Sequence, residues 1–160
     1  MTTATAGIDT QKWIDAMTQS IGEVSRDLLG FGESAVIRTT TKIPSDMRGA
    51  HIAVVSLRDS LQIGLTAENE DCLKLAGALL GMEPDAGIPQ GDVADAVGEI
   101  INVVAGGMKR RLIEHDPNLS IGLPIFFQGH LKAPANIDSL LVEVSLGSVP
   151  AKFFMIRNQK

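Results

Sequence analysis

The sequence has little of several features that mark common classes of protein. It contains a single cysteine among 160 residues, so no disulfide can form within the chain. The formal net charge is −5, which argues against a surface for nucleic acid or for an anionic membrane. No apolar run approaches the roughly 18 residues of a membrane span, and the first residues lack the basic and apolar regions of a signal peptide. These absences predict a cytoplasmic protein that binds neither nucleic acid nor membrane.

The sequence also lacks the familiar patterns of enzyme sites. His51, His115 and His130 lie far apart, with no cysteine or second histidine at ligand spacing, so we predict no metal site. Neither a phosphate-binding loop nor a nucleophile elbow of the G-x-S-x-G type occurs. Cys72 lies among leucines and alanines in a predicted helix, and we interpret it as a small core residue. The basic cluster at residues 109–111 is interpreted as electrostatic capping of a helix C-terminus.

The sequence does contain helical and strand patterns that alternate over the length of one domain. We predict a disordered tail over residues 1–8 and a single domain over residues 9–160. Hairpin turns are predicted at residues 58–60 and 147–148. The order α-βββ-α-α-βββ predicts an α+β fold with helices packed on an antiparallel sheet. The predicted helices are Thr10–Leu29, Asn69–Leu80 and Asp92–Leu112, and the predicted strands are Ser34–Thr41, Ala50–Leu57, Leu61–Ala67, Leu119–Phe127, Leu140–Leu146 and Val149–Arg157.

The third predicted helix carries the most informative residues. Apolar residues recur at three- and four-residue spacing and form one stripe for the core. On the opposite face, Glu99 and Asn102 are i,i+3 neighbours that point the same way. Glycines at positions 98, 106 and 107 surround them, although each costs an exposed helix about 1 kcal/mol relative to alanine. We interpret this as a bare face that another surface can approach. The alternative is an ordinary solvated face on which Asn102 has no role.

A short sequence match between the first and third predicted helices has an internal pseudo-repeat as one interpretation. Aligning residues 21–24 with residues 97–100 places Glu23 on Glu99, whereas Arg26 stands where Asn102 does. Both helices precede three predicted strands. The match is too short to establish a duplication, so a duplication and a chance match both stay open.

Residues 95–106, read as DAVGEIINVVAG, resemble the motif helix of the CheX/CheC family of chemotaxis phosphatases. The resemblance extends from about Trp13 to Ile156 and includes the Gly122–Pro124 segment after the motif helix. A single Glu-x-x-Asn motif is more similar to CheX than to CheC. The chain departs at Gly107, where CheX-like chains commonly have asparagine.

This resemblance implies hydrolysis of the aspartyl phosphate on a CheY-type response-regulator receiver. Asn102 would orient the attacking water, and Glu99 would pair with the active-site lysine of the receiver. Asp95, Gly98 and Gly106 would contact the partner. A neutral amide suits the water-orienting role because it can both accept and donate hydrogen bonds without adding negative charge beside the phosphate. The chain would bind no cofactor of its own, since the divalent metal, Mg²⁺, would belong to the receiver.

The resemblance leaves alternatives for function and also implies an assembly. A non-catalytic, CheC-like interaction module and a structural domain like that of FliM are the alternatives, and the intact Glu99/Asn102 pair favours the enzyme.

CheX-like proteins form homodimers, and we expect Leu140–Leu146 and Val149–Ile156 to supply apolar strands at a sheet edge, where another chain can pair.

Overall fold

The computed structural model describes residues 7–44, 46–129 and 138–159. Residues 1–6 of the predicted tail and His130 therefore lie outside the described residues. The last two residues of the predicted tail, Gly7 and Ile8, lie within the described residues. Ile8 is buried in the core, and its backbone N–H donates a hydrogen bond of 3.0 Å to the Asp59 carboxylate. The packed part of the chain thus includes Ile8.

The described chain forms three helices and seven strands. The α+β class is confirmed, because every strand pairing in the sheet is antiparallel and the helices pack against the sheet. The helices are α1 (Thr10–Glu23), which continues into a π-helical turn (Val24–Leu28), α2 (Asn69–Leu80) and α3 (Gln90–Leu112). The strands are β1 (Ser34–Thr40), β2 (Met47–Val55), β3 (Asp59–Thr66), β4 (Ser120–Ile121), β5 (Ile125–Gly129), β6 (Asp138–Leu146) and β7 (Val149–Gln159).

The strand predicted over residues 119–127 is two strands in the structure. Both β4 and β5 pair with β2, and residues 122–124 separate them. Gly122 still donates its N–H to Ala53, but the next residues leave the ladder, and Pro124 has no N–H with which to rejoin it. The alternating hydrophobic pattern did not reveal this break.

The first hairpin turn lies two residues earlier than predicted, at residues 56–58. The hydroxyl of Ser56 accepts hydrogen bonds of 3.1 Å from the N–H groups of Arg58 and Asp59. Asp59 itself is buried at the start of β3, where its carboxylate pairs with Arg157. The sequence R-D-S indicates a turn because its residues are polar, but this aspartate is used for a buried ion pair.

The strands are ordered β1-β6-β7-β3-β2, and β4 and β5 share the outer side of β2. The prediction that β6 and β7 lie at a sheet edge is wrong, because β6 pairs with both β1 and β7, and β7 pairs with both β6 and β3. The edges are β1 on one side and β4 with β5 on the other. The second hairpin turn, at residues 147–148, is confirmed.

One continuous core lies between the helices and the sheet. It contains Trp13 and Met17 of α1, the apolar stripe of α3 and the inward residues of β2, β3, β6 and β7. A smaller apolar cluster on the other face of the sheet contains Met47, Leu141, Phe154 and Ile156. Among the described residues no helix is long and apolar enough to cross a membrane.

Candidate functional site

Helix α3 presents one face to the core and the opposite face to solvent. The predicted stripe is confirmed as buried, with none of its members more than 8% exposed. α3 packs on β2 and contacts α1 and α2 on its flanks, so only its outer face stays accessible. The buried stripe consists of Val93, Val97, Ile100, Ile101, Val104, Met108 and Leu112.

Glu99 and Asn102 lie together on the accessible face. Glu99 is exposed, Asn102 is half-buried and Asp95 is exposed one turn before Glu99. Neither the Glu99 nor the Asn102 side chain makes a hydrogen bond or ion pair with another described residue. Since an i,i+3 spacing places two side chains side by side on a helix, their carboxylate and carboxamide groups are available together to an approaching molecule.

The three glycines around this pair serve different purposes. A Cβ on Gly106 would have no neighbour within 4 Å, so this position leaves the outer face open, as the sequence predicts. Gly98 is buried, and a Cβ there would lie 3.5 Å from the ring of Pro124. A Cβ on Gly107 would lie 2.8 Å from the Ser20 hydroxyl, so this glycine allows α1 to approach α3. The bare-face interpretation therefore applies to Gly106, whereas Gly98 and Gly107 face other parts of this chain.

The counterpart of the pair on α1 is used for internal packing. Glu23 accepts a hydrogen bond of 3.1 Å from Arg110 and a second bond from Arg111. The hydrogen bond from Arg111 is the main reason that the pKa of Glu23 lies below its ordinary value. Arg26, which aligns with Asn102, pairs with Glu33 at 3.4 Å. This face of α1 therefore holds no second Glu/Asn pair.

The basic cluster near the end of α3 holds two helices together, and its interpretation as a helix cap is incomplete. Arg111 donates hydrogen bonds to the Ser20 hydroxyl and to the Gly107 carbonyl, both at 3.2 Å, in addition to its bond with Glu23. The carbonyl contact is of the kind expected near a helix C-terminus. The contacts with α1 depend on long-range packing, which residue spacing does not reveal.

The surroundings of the pair fit a macromolecular partner better than a small ligand. Small-molecule sites are typically concave and enclose most of the ligand. A cleft of about 630 Å³ lies near the start of α2, between Arg48, Thr66 and Lys152, but no residue of α3 lines it. Across the described ranges, no group of three or more histidine, cysteine, aspartate or glutamate residues could hold a metal ion. The Glu99/Asn102 pair instead lies on an exposed helix surface, which a protein can cover.

Solved structures similar to this fold include CheC-like, CheX and FliM proteins. A CheC-like superfamily protein from Shewanella sp. PV-4 is 19% identical, with a TM-score of 0.77 over 94% of this chain and 99% of that one. The CheX-CheY-BeF3-Mg²⁺ complex from Borrelia burgdorferi matches at 18% identity and a TM-score of 0.75, over 92% and 98% of the two chains. The FliM middle domain from H. pylori matches at 10% identity and a TM-score of 0.63, over 95% and 94%.

The family is established by sequence. No curated protein sequence shows significant similarity to the chain. The profile of the family described as "Chemotaxis phosphatase CheX" nevertheless matches residues 51–143, more than half of the chain, and this range contains all of α3 with Glu99 and Asn102. The chain therefore belongs to the CheX family.

Proposed function

We propose that this protein is a cytoplasmic phosphatase that hydrolyses the aspartyl phosphate of a CheY-like receiver. The observation that carries the proposal is the Glu99/Asn102 pair, which lies side by side on the accessible face of α3, with neither side chain engaged by another described residue. Membership of the CheX family supports it. A CheX protein of the same fold also occurs in a complex with CheY, BeF3 and Mg²⁺.

The two side chains divide the work of docking and water placement. Glu99 forms an ion pair with a lysine of the receiver and fixes the position of α3 over the phosphorylated aspartate. The Asn102 carboxamide holds a water molecule in line with phosphorus. The water oxygen forms a bond to phosphorus as the bond from phosphorus to the aspartate oxygen breaks, and the leaving carboxylate takes the electron pair. Inorganic phosphate and a proton are released. Phosphoryl transfer needs mainly such positioning and charge stabilisation.

The divalent metal is assigned to the receiver. Mg²⁺ bound beside the phosphoryl group supplies charge neutralisation, which leaves this chain to orient the water and fix the register of the complex. Asp95, one turn before Glu99, and Gly106, with open space above it, complete the surface that meets the partner. Gly98 contributes beneath this surface, where it contacts Pro124.

A non-catalytic interaction module is the second candidate, and one observation favours it. The fold is shared with the FliM middle domain at a TM-score of 0.63. In that case Glu99 and Asn102 would only bind a partner. The two candidates differ in one measurable property, which is the release of phosphate.

The experiment compares phosphate release from a phosphorylated receiver with and without this protein. We expect the wild-type chain to accelerate release, and we expect Asn102→Ala to lose about 10²- to 10³-fold of this rate, as is usual when one preorganised polar group is removed. Asn69→Ala is the control, because it removes a carboxamide from the exposed start of α2. Circular dichroism checks that both variants are folded. Wild-type turnover in Asn102→Ala contradicts the catalytic role.

A further inference from the structure

An exposed leucine precedes the proline that packs over α3 one residue before Glu99. Leu123 is 85% exposed in the segment that joins β4 and β5. The next residue, Pro124, packs over the buried Gly98 of α3, at 3.5 Å from the position of a Cβ on that glycine. This contact holds the segment against α3 one residue before Glu99, and Leu123 is the residue bonded to Pro124, so its backbone lies near the pair.

A second apolar side chain lies on the other side of the pair. With about 100° between consecutive helix residues, Gly98, Asn102, Glu99 and Val103 follow each other around α3 at about 0°, 40°, 100° and 140°. Val103 is 36% exposed, the most exposed apolar side chain of α3. The polar pair is therefore flanked by Pro124 with Leu123 on one side and by Val103 on the other. We call these three residues the apolar border.

We propose that the apolar border binds the receiver around its phosphorylated aspartate and excludes bulk water from the Glu99/Asn102 pair. This inference rests on the proposed function. Pro124 packs on α3 beside the pair and Leu123 is its neighbour in the chain, so we expect a receiver that reaches Asn102 also to meet Leu123. Burying an apolar side chain against a partner is favourable. Removing water from the surroundings strengthens an ion pair of Glu99 with a lysine, because the local dielectric constant falls.

The apolar border and the Glu99/Asn102 pair should affect different kinetic constants. Leu123 and Val103 carry no group that can orient water or stabilise the phosphoryl group, and they contact the receiver equally before and during the reaction. An interaction of this kind lowers KM without changing kcat. Leu123 is therefore a specificity-determining residue that selects receivers with an apolar surface beside the phosphorylation site.

The test measures binding of the wild type, Leu123→Ser and Leu123→Met to a receiver loaded with beryllofluoride and Mg²⁺, followed by steady-state dephosphorylation. We expect Leu123→Ser to weaken binding and raise KM by about tenfold, since an apolar side chain is lost from the interface, with kcat unchanged. Leu123→Met keeps the apolar volume and should restore binding. Leu57→Ser is the control, because Leu57 is also 85% exposed but lies in the turn between β2 and β3.

The outcomes separate the two proposals. A wild-type protein that neither binds nor dephosphorylates receivers overturns the proposed function and, with it, this inference. If the wild type binds and dephosphorylates the receiver and Leu123→Ser binds equally well, the inference is wrong and the proposed function stands. The inference is also wrong if Leu57→Ser loses as much receiver binding as Leu123→Ser does. If Leu123→Ser instead dissociates a homodimer in sedimentation and leaves receiver binding intact, the border is a self-association surface and the inference is wrong.

Discussion

At the scale of single residues, the proposed role of Glu99 rests on its position and not on any contact within the chain. It is exposed, and no other described residue pairs with it. An exposed ion pair is commonly worth no more than about 1 kcal/mol, but a pair enclosed in an interface is screened less. A carboxylate in this position therefore gains its effect only when the partner covers it.

We predict that Glu99→Ala weakens the complex and that its effect depends on the receiver lysine. In a double-mutant cycle, the coupling between Glu99→Ala and replacement of the lysine by alanine should be about 1 kcal/mol or more. Glu114→Ala removes an exposed carboxylate just beyond α3 and should show no coupling. Strictly additive effects of Glu99→Ala and the lysine replacement would mean that the two residues do not pair.

Cys72 illustrates how burial alters the chemistry of a single side chain. It is 2% exposed, and burial raises the pKa of its thiol to about 11. Its interpretation as a core residue is confirmed. Because the thiolate is the reactive form, we predict that a thiol reagent at pH 8 leaves the folded protein unmodified and reacts completely after denaturation. The labelling reaction is measured by absorbance. Rapid labelling of the folded protein would contradict this prediction.

At the scale of secondary structure elements, the contact between α1 and α3 includes an ion-pair cluster at Glu23. The carboxylate joins two arginines of α3, and Gly107 provides the space for the close approach. The pKa of Glu23 is lowered, chiefly by the hydrogen bond from Arg111. A lowered folded-state pKa means that the contribution to stability is present above the ordinary pKa of glutamate and is lost as the pH falls through the folded-state value.

We predict that Glu23→Gln lowers the free energy of unfolding at pH 7 and that its difference from the wild type disappears in acid. Urea denaturation at pH 7 and at successive values below the ordinary pKa of 4.5 measures this. Glu33→Gln is the control, since it removes a carboxylate that is 81% exposed and pairs only with Arg26 among the described residues. An equal destabilisation at neutral and acid pH would show that the charge of Glu23 is not the cause.

At the scale of the whole molecule, the sequence predicted the class of fold and the orientation of α3, because both follow from hydrophobic periodicity. The outward position of Glu99 follows from the same pattern. The break at residues 122–124 was missed, since it depends on Pro124, which has no N–H for the ladder, and the hydrophobic pattern does not show this. The apolar border was missed because it depends on the contact of Pro124 with Gly98, which lies in another element. The burial of Asp59 depends on Arg157, nearly a hundred residues later.

The edges of the sheet determine where a second copy of the chain can pair. We predict a homodimer, and β1 is the edge that suits it, because Val36 and Ile37 are 52% and 67% exposed there and an edge strand offers unpaired backbone groups. Light scattering at micromolar concentration should report the dimer, and Ile37→Lys should shift it towards monomer. If Ile37→Lys still forms the dimer, pairing through β1 is wrong. A dimer that covers Asn102 also contradicts pairing through β1.

The same strand has a consequence for how the protein folds. β1 is held by its pairing with β6, in which Ser34 lies opposite Leu146. The first strand in the chain order can therefore pair only after one of the last strands is in place. Contacts between such distant positions require a large loss of chain entropy before they form, and chains rich in them refold in about milliseconds to seconds. We therefore predict that β1 joins the sheet late and leaves it early. In a hydrogen-exchange measurement, the amide hydrogens of residues 34–40 should exchange with solvent before those of the central strands β3 and β7.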